Sequence, residues 1–176
     1  MVGMLACIGR SAYYWLALVL YGVSAEGVAL YYQYVREEPP CVLCIQMRLL
    51  MVLLVVVALL VLSLRRFRLT VPVGHLVVLG IALWMCERSY VLLGTERGFV
   101  EGMCGFDLGL PSWFTPDKWL PALFEVQTSC GYTPQLPFGI TMAEALMALS
   151  LGLLLLSAVL AVAVVVRPVV AEEYQA

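Results

Sequence analysis

Cys41-Val42-Leu43-Cys44 stands at the mouth of a long apolar run, with Arg48 one helical turn further in. Two thiols at this spacing close into a small, reactive disulfide ring. At a helix N-terminus their thiolate is stabilised by the helix dipole and by a nearby cation. At a membrane surface the same pair meets both a water-soluble protein and a lipid-soluble oxidant. Redox transfer is the chemistry that uses all three conditions together. Arg48 is i+4 from Cys44 and so shares its helix face. There its charge stabilises a thiolate and can also bind an electron-rich carbonyl. The plainer reading of Arg48 is an arginine snorkelling to the interface.

Six cysteines are present. Cys41 and Cys44 begin an apolar helix, Cys104 and Cys130 fall in a long polar loop, and Cys7 and Cys86 lie in apolar, helix-like segments. An even number in the loop and at the helix mouth suggests two bridges, 41–44 and 104–130, with other pairings left open. A zinc site is disfavoured, because Cys104 and Cys130 are too far apart to form a second C-x-x-C knuckle. We therefore expect no metal. A structural role suits the loop pair better than Cys41–Cys44, because so tight a ring restrains almost no chain. Cys7 and Cys86 read as small buried hydrophobes.

These residues must be positioned by membrane helices. The chain has 176 residues, 63% hydrophobic and 12% charged. Soluble domains are roughly half apolar and a quarter charged. The net charge of -2 gives no reason to expect nucleic acid. Four stretches are long enough to cross a bilayer, at about 12–34, 41–63, 71–93 and 145–166. The expected fold is all-α: a single membrane domain over 1–176, built as a four-transmembrane-helix bundle with one long loop at about 94–140. The first stretch follows Arg10 but is too long for a signal peptide and should persist in the mature protein.

Arginines orient the bundle. Arg65, Arg66 and Arg68 crowd the link between the second and third helices, Arg10 precedes the first, and Arg167 follows the fourth. The positive-inside rule makes that face, with both termini, cytoplasmic. The 94–140 loop then faces the opposite, disulfide-permissive side. Trp113, Phe114, Trp119, Leu120, Leu123 and Phe124 surround Asp117 and Lys118 within it. We expect a short interfacial helix at 116–126, lying flat on the membrane with Pro116 near its start. Three polar residues stand out in the spans. His75 is near one end of the third, and Glu26 is deep in the first. Arg88, near the outer end of the third, is level with Arg48 and expected either to line the same pocket or to anchor the helix, with Glu87 pointing elsewhere.

Pro40-Cys41-Val42-Leu43-Cys44 with Arg48, the Cys104/Cys130 pair, Asp117-Lys118-Trp119 between them and four spans in this order resemble the DsbB family. These are bacterial inner-membrane disulfide bond formation proteins. The resemblance covers nearly the whole chain. It implies a thiol oxidase that passes two electrons from a periplasmic, DsbA-like thioredoxin-fold oxidase to a membrane quinone, either ubiquinone or menaquinone. Cys104 would be attacked by the partner's thiolate, and Cys130 would be released to exchange with Cys41. Cys44 would reduce the bound quinone, and Arg48 would stabilise the thiolate or the reduced quinone. Two other functions fit less well. A quinone-linked thiol oxidoreductase of the vitamin K epoxide reductase type also pairs loop cysteines with an inner C-x-x-C. A structural membrane subunit with inert disulfides would leave Arg48 and the tight ring without a purpose.

Overall fold

The computed structural model describes residues 2–100, 105 and 107–166. Seven α-helices occur among them: α1 (Val2–Arg10), α2 (Ala12–Tyr34), α3 (Val42–Leu64), α4 (Thr70–Arg97), α5 (Pro116–Trp119), α6 (Pro121–Phe124) and α7 (Met142–Val166). Of these, α2, α3, α4 and α7 are long and apolar enough to cross a membrane. The described residues contain no strand, only two isolated bridges. The protein is thus an all-helical membrane bundle of four spans.

Packing runs round the bundle from α2 to α3, from α3 to α4 and from α4 to α7, while α2 and α7 have no comparable contact. The bundle is therefore open along one side. Leucine is as apolar as lipid, so close packing and polar contacts between helices hold such bundles together. Trp15, Leu54, Ala58, Val78, Met85 and Leu160 fill the centre with almost no exposed surface. Ser89 and Ser150 join α4 to α7 through their hydroxyls at 3.1 Å. At Gly74 a Cβ would stand 2.5 Å from Val61 and 3.0 Å from Trp15, so the helices meet there only because no side chain intervenes.

Helix boundaries differ from the hydropathy reading in instructive ways. Residues 2–10 form a helix of their own, separated from α2 by Ser11, whose hydroxyl accepts from the Tyr13 N–H at 3.2 Å. This helix packs on α7. It is held by His75, whose Nε2 donates to the Gly9 carbonyl at 2.9 Å and whose ring stacks on Tyr14. The third span runs on to Arg97 and stops at Gly98, whose left-handed backbone (φ 75°) lets its N–H reach the last carbonyls. The expected helix at 116–126 is two single turns, α5 and α6. Pro121 separates them, holding Leu120 at φ -138°, ψ 67°.

Candidate functional site

Cys41 caps α3 rather than belonging to the span. Its backbone is extended (φ -86°, ψ 171°), as expected between Pro40 and a helix start, and its sulfur accepts from the Cys44 N–H at 3.4 Å. This is the position that serine or aspartate usually takes at a helix N-terminus. The two sulfurs of the motif are 2.9 Å apart. Cys41 is almost wholly buried, among Val42, Leu43, Leu92 and Phe124.

The outer loop returns to this point. The Gln127 and Thr128 N–H groups both donate to the Pro40 carbonyl, at 3.0 and 3.3 Å, and Cys41 and Thr128 form a parallel bridge. Two residues on, Cys130 reaches Cys41 within hydrogen-bonding distance. That contact draws the Cys41 pKa down. The Cys44 hydrogen bond, burial and the Cys44 charge together outweigh it, and the Cys41 thiol is pushed up to about 12. Three of the four sulfurs singled out in the sequence therefore meet at one place. Cys104, the fourth, lies outside the described residues, as does Arg167.

Arg48 is not a snorkelling side chain. It is buried, and it donates to the Gln33 side chain at 2.5 Å, the Leu123 carbonyl at 3.0 Å and the Ala29 carbonyl at 3.1 Å. One guanidinium thus ties together α2, α3 and α6, which its planar fork of donors suits it to do. Gln33 was not foreseen. The available signal was its place two turns above Glu26, on the same face of an otherwise apolar helix.

Arg88 does not share the pocket. It bonds Gln46 at 3.3 Å and pairs with Glu87 at 2.8 Å, so the expectation that Glu87 points elsewhere is also corrected. Gln46 in turn donates to the Leu108 carbonyl at 2.9 Å, pinning the early part of the loop to α3. The later part is pinned by Glu96, which the sequence reading passed over. Its carboxylate accepts from Thr133 at 2.8 Å and Thr141 at 3.2 Å. Near α6, the Tyr34 hydroxyl donates to the Ala122 carbonyl at 2.5 Å.

Behind the cysteines, a cavity of about 360 Å³ occupies the open side of the bundle between α2 and α7. Its wall is mostly apolar. Cys44 and Arg48 line its outer end, Met51 and Leu149 its flanks, and Glu26 its deeper part. One carboxyl oxygen of Glu26, Oε1, is buried and has no hydrogen-bond partner among the described residues. No group of three or more potential metal ligands occurs among the described residues. Cys7 is exposed and Cys86 half-buried, and neither lines the cavity, so the expectation of two buried hydrophobes is corrected for Cys7.

The family model for Disulfide bond formation protein DsbB matches residues 11–160. Disulfide bond formation protein B 2 of Pseudomonas aeruginosa is 32% identical over 120 residues, covering 67% of this chain and 71% of that protein. The Photorhabdus laumondii protein is 33% identical over 130 residues, covering 69% and 71%. That of Shewanella loihica is 31% identical over 137 residues, covering 74% and 77%. The match begins just before α2 and ends within α7, so it takes in all four spans and the cysteine-bearing mouth between them. On that extent of agreement, the chain belongs to the DsbB family of disulfide bond formation proteins.

Proposed function

We propose that the protein is a thiol:quinone oxidoreductase of the bacterial inner membrane. It reoxidises a periplasmic, DsbA-like thioredoxin-fold oxidase and passes two electrons to a membrane quinone, either ubiquinone or menaquinone. Both termini are cytoplasmic and the cysteine-bearing loop is periplasmic, in keeping with the arginines of the 65–68 link. The observation that carries this reading is the position of Cys44. It forms the wall of an apolar cavity on one side, while its neighbour Cys41 meets Cys130 on the other.

The chemistry follows from that arrangement. Exchange needs a thiolate close to a disulfide. The partner's thiolate attacks Cys104, forming a mixed disulfide and releasing Cys130. The Cys130 thiolate then attacks Cys41 in the 41–44 disulfide, forming a 41–130 bond and freeing Cys44 as a thiolate facing the cavity. The partner's second thiol resolves its mixed disulfide at its own sulfur, leaves oxidised and frees Cys104. Cys104 closes on Cys130 and returns Cys41 as a thiol. Cys44 is stabilised by the start of α3 and by the buried charge of Arg48.

A quinone in the cavity supplies a two-electron acceptor. The residues present fit such a group: an apolar wall, a thiol and a cation at one end, and an unpartnered carboxyl oxygen deeper in. The Cys41–Cys44 disulfide is restored as the electron pair leaves. The net change converts a protein dithiol and a quinone into a protein disulfide and a quinol.

The test is quinone reduction by the purified protein, driven by a reduced DsbA-like partner and followed by ultraviolet absorbance. Wild type should turn over, and Cys44→Ser should not. A folded wild type that reduces neither ubiquinone nor menaquinone would sink the proposal.

A further inference from the structure

Reducing a quinone takes two protons as well as two electrons, and an apolar cavity offers few places to find them. Glu26 stands in that cavity on α2, one turn deeper than Ala29 and two turns deeper than Gln33, the residues that hold Arg48. It is within electrostatic reach of Arg48. Yet the guanidinium donors that bond in the cavity are directed to Gln33, Leu123 and Ala29, and Glu26 Oε1 is left without a partner. An ionisable group placed this deep in a span is costly unless it has work to do. A structural carboxyl would have been satisfied by a neighbouring segment, as Glu96 is satisfied by Thr133 and Thr141 of the loop.

We propose that the Glu26 carboxyl donates a proton to the quinone that Cys44 reduces, an inference that rests on the quinone reading above. The Cys41 thiol and the Cys44 thiolate together hold the two electrons to give; one proton remains on Cys41, and the other was released to solvent by the partner dithiol during exchange. The electrons leave through Cys44 as the Cys41–Cys44 bond forms. Glu26 transfers its carboxyl proton to the acceptor oxygen that gains negative charge beside it. The carboxylate left behind lies within the field of Arg48, which offsets its charge until it recovers the proton shed by Cys41. The second proton is taken up from solvent at the outer, Cys44 end, so the two protons lost by the partner dithiol balance the two gained. Tyr21 also has a buried, unpartnered hydroxyl, but it is a weaker acid and lies about 7.5 Å further from the cysteines along the helix.

The experiment uses the full-length protein in detergent, with ubiquinone-1 as the acceptor and Glu26→Gln and Glu26→Asp as variants. General acids contribute about 10²–10⁴ in rate. The Gln variant should therefore lose about a hundredfold in kcat with KM within about threefold, and the Asp variant should recover part of the loss. Exchange between reduced partner and the Cys41–Cys44 disulfide, trapped without quinone, should proceed in both. A donor must be protonated, so the wild-type rate should fall as pH rises through the Glu26 pKa, and the Gln profile should lack that limb. The other titratable groups facing the cavity are Tyr21 and Tyr32 of α2, Cys44 and Arg48 of α3, Glu38, and Tyr132 of the loop; all are retained in both variants. An infrared difference spectrum on adding ubiquinone-1 should show a protonated-carboxyl band that Glu26→Gln removes.

Unchanged kcat in Glu26→Gln would overturn the inference, as would a raised KM with unaltered kcat, which marks a binding role only. Should Glu26→Gln fail to fold, absence of the carboxyl band in wild type is equally fatal. Failure of wild type to reduce ubiquinone-1 or menaquinone at all would instead remove the underlying quinone reading, a result that the variants cannot mimic.

Discussion

Replacing Arg48 by methionine keeps most of the stem and removes the charge and three donated hydrogen bonds. Those bonds run to Gln33, Leu123 and Ala29, and they join the wall of the cavity to the short helix above it. Polar contacts between membrane helices are worth about 0.6–2 kcal/mol each. Three of them therefore amount to about 2–6 kcal/mol, and about 1.4 kcal/mol is a factor of ten. If the wall must be in place for the acceptor to bind, kcat/KM for ubiquinone-1 should fall at least about thirtyfold. Thermal unfolding in detergent should drop by several degrees, at about 2–4 °C per kcal/mol for a chain of this size. Lysine keeps the charge, but one ammonium cannot span all three acceptors, so Arg48→Lys should fall between methionine and wild type. The assay is steady-state quinone reduction with melting curves on the same preparations. Wild-type kcat/KM within threefold in Arg48→Met would refute the reasoning, because neither the wall nor the cation would then matter.

Three further changes test other parts of the site. Glu96→Leu strips the acceptor from Thr133 and Thr141, and should slow Cys130–Cys41 exchange about tenfold in a quenched-flow thiol trap; an unchanged rate would show that the loop is placed without it. In the fully reduced protein, Cys41, with a pKa of about 12, is neutral throughout the physiological range and becomes a thiolate only above that value. Its alkylation by iodoacetamide at pH 8 should be at least about a hundredfold slower than that of an exposed thiol of pKa about 8.5, as read by mass spectrometry; labelling at the exposed rate would contradict its burial and its contacts. Gly74→Ala forces a methyl group against Val61 and Trp15 and should cost about 1–3 kcal/mol, seen as a lower melting temperature; a rise would mean that the gap is wider than described.

The parts of this molecule that were legible in the sequence are local ones. Span positions follow from runs of apolar residues, and Cys41, Cys44 and Arg48 announce themselves by spacing along one helix. The parts that were not legible depend on residues distant along the chain. Gln33 matters because Arg48 folds back onto α2, and Glu96 because the loop returns at Thr133 and Thr141. Arg88 shows the same limit from the other side: its depth matched that of Arg48, but its partners, Gln46 and Glu87, turn it away from the cavity. Pro121 is different. Its effect on Leu120 is written in the sequence, and a single helix over 116–126 ignored it.

The bridge between Cys41 and Thr128 has one more consequence. Only one residue separates the bridge from Cys130, and the chain bends at Cys130. Backbone anchored at Thr128 therefore gives the Cys130 sulfur a short tether, and on that tether it meets Cys41. Each residue inserted between the two would lengthen the tether by up to about 3.3 Å and let the sulfur drift from its partner, even with the loop otherwise intact. Under the proposed reaction, exchange between the two cysteine pairs thus depends on the length of a few residues of backbone, and the loop can vary in length more freely elsewhere.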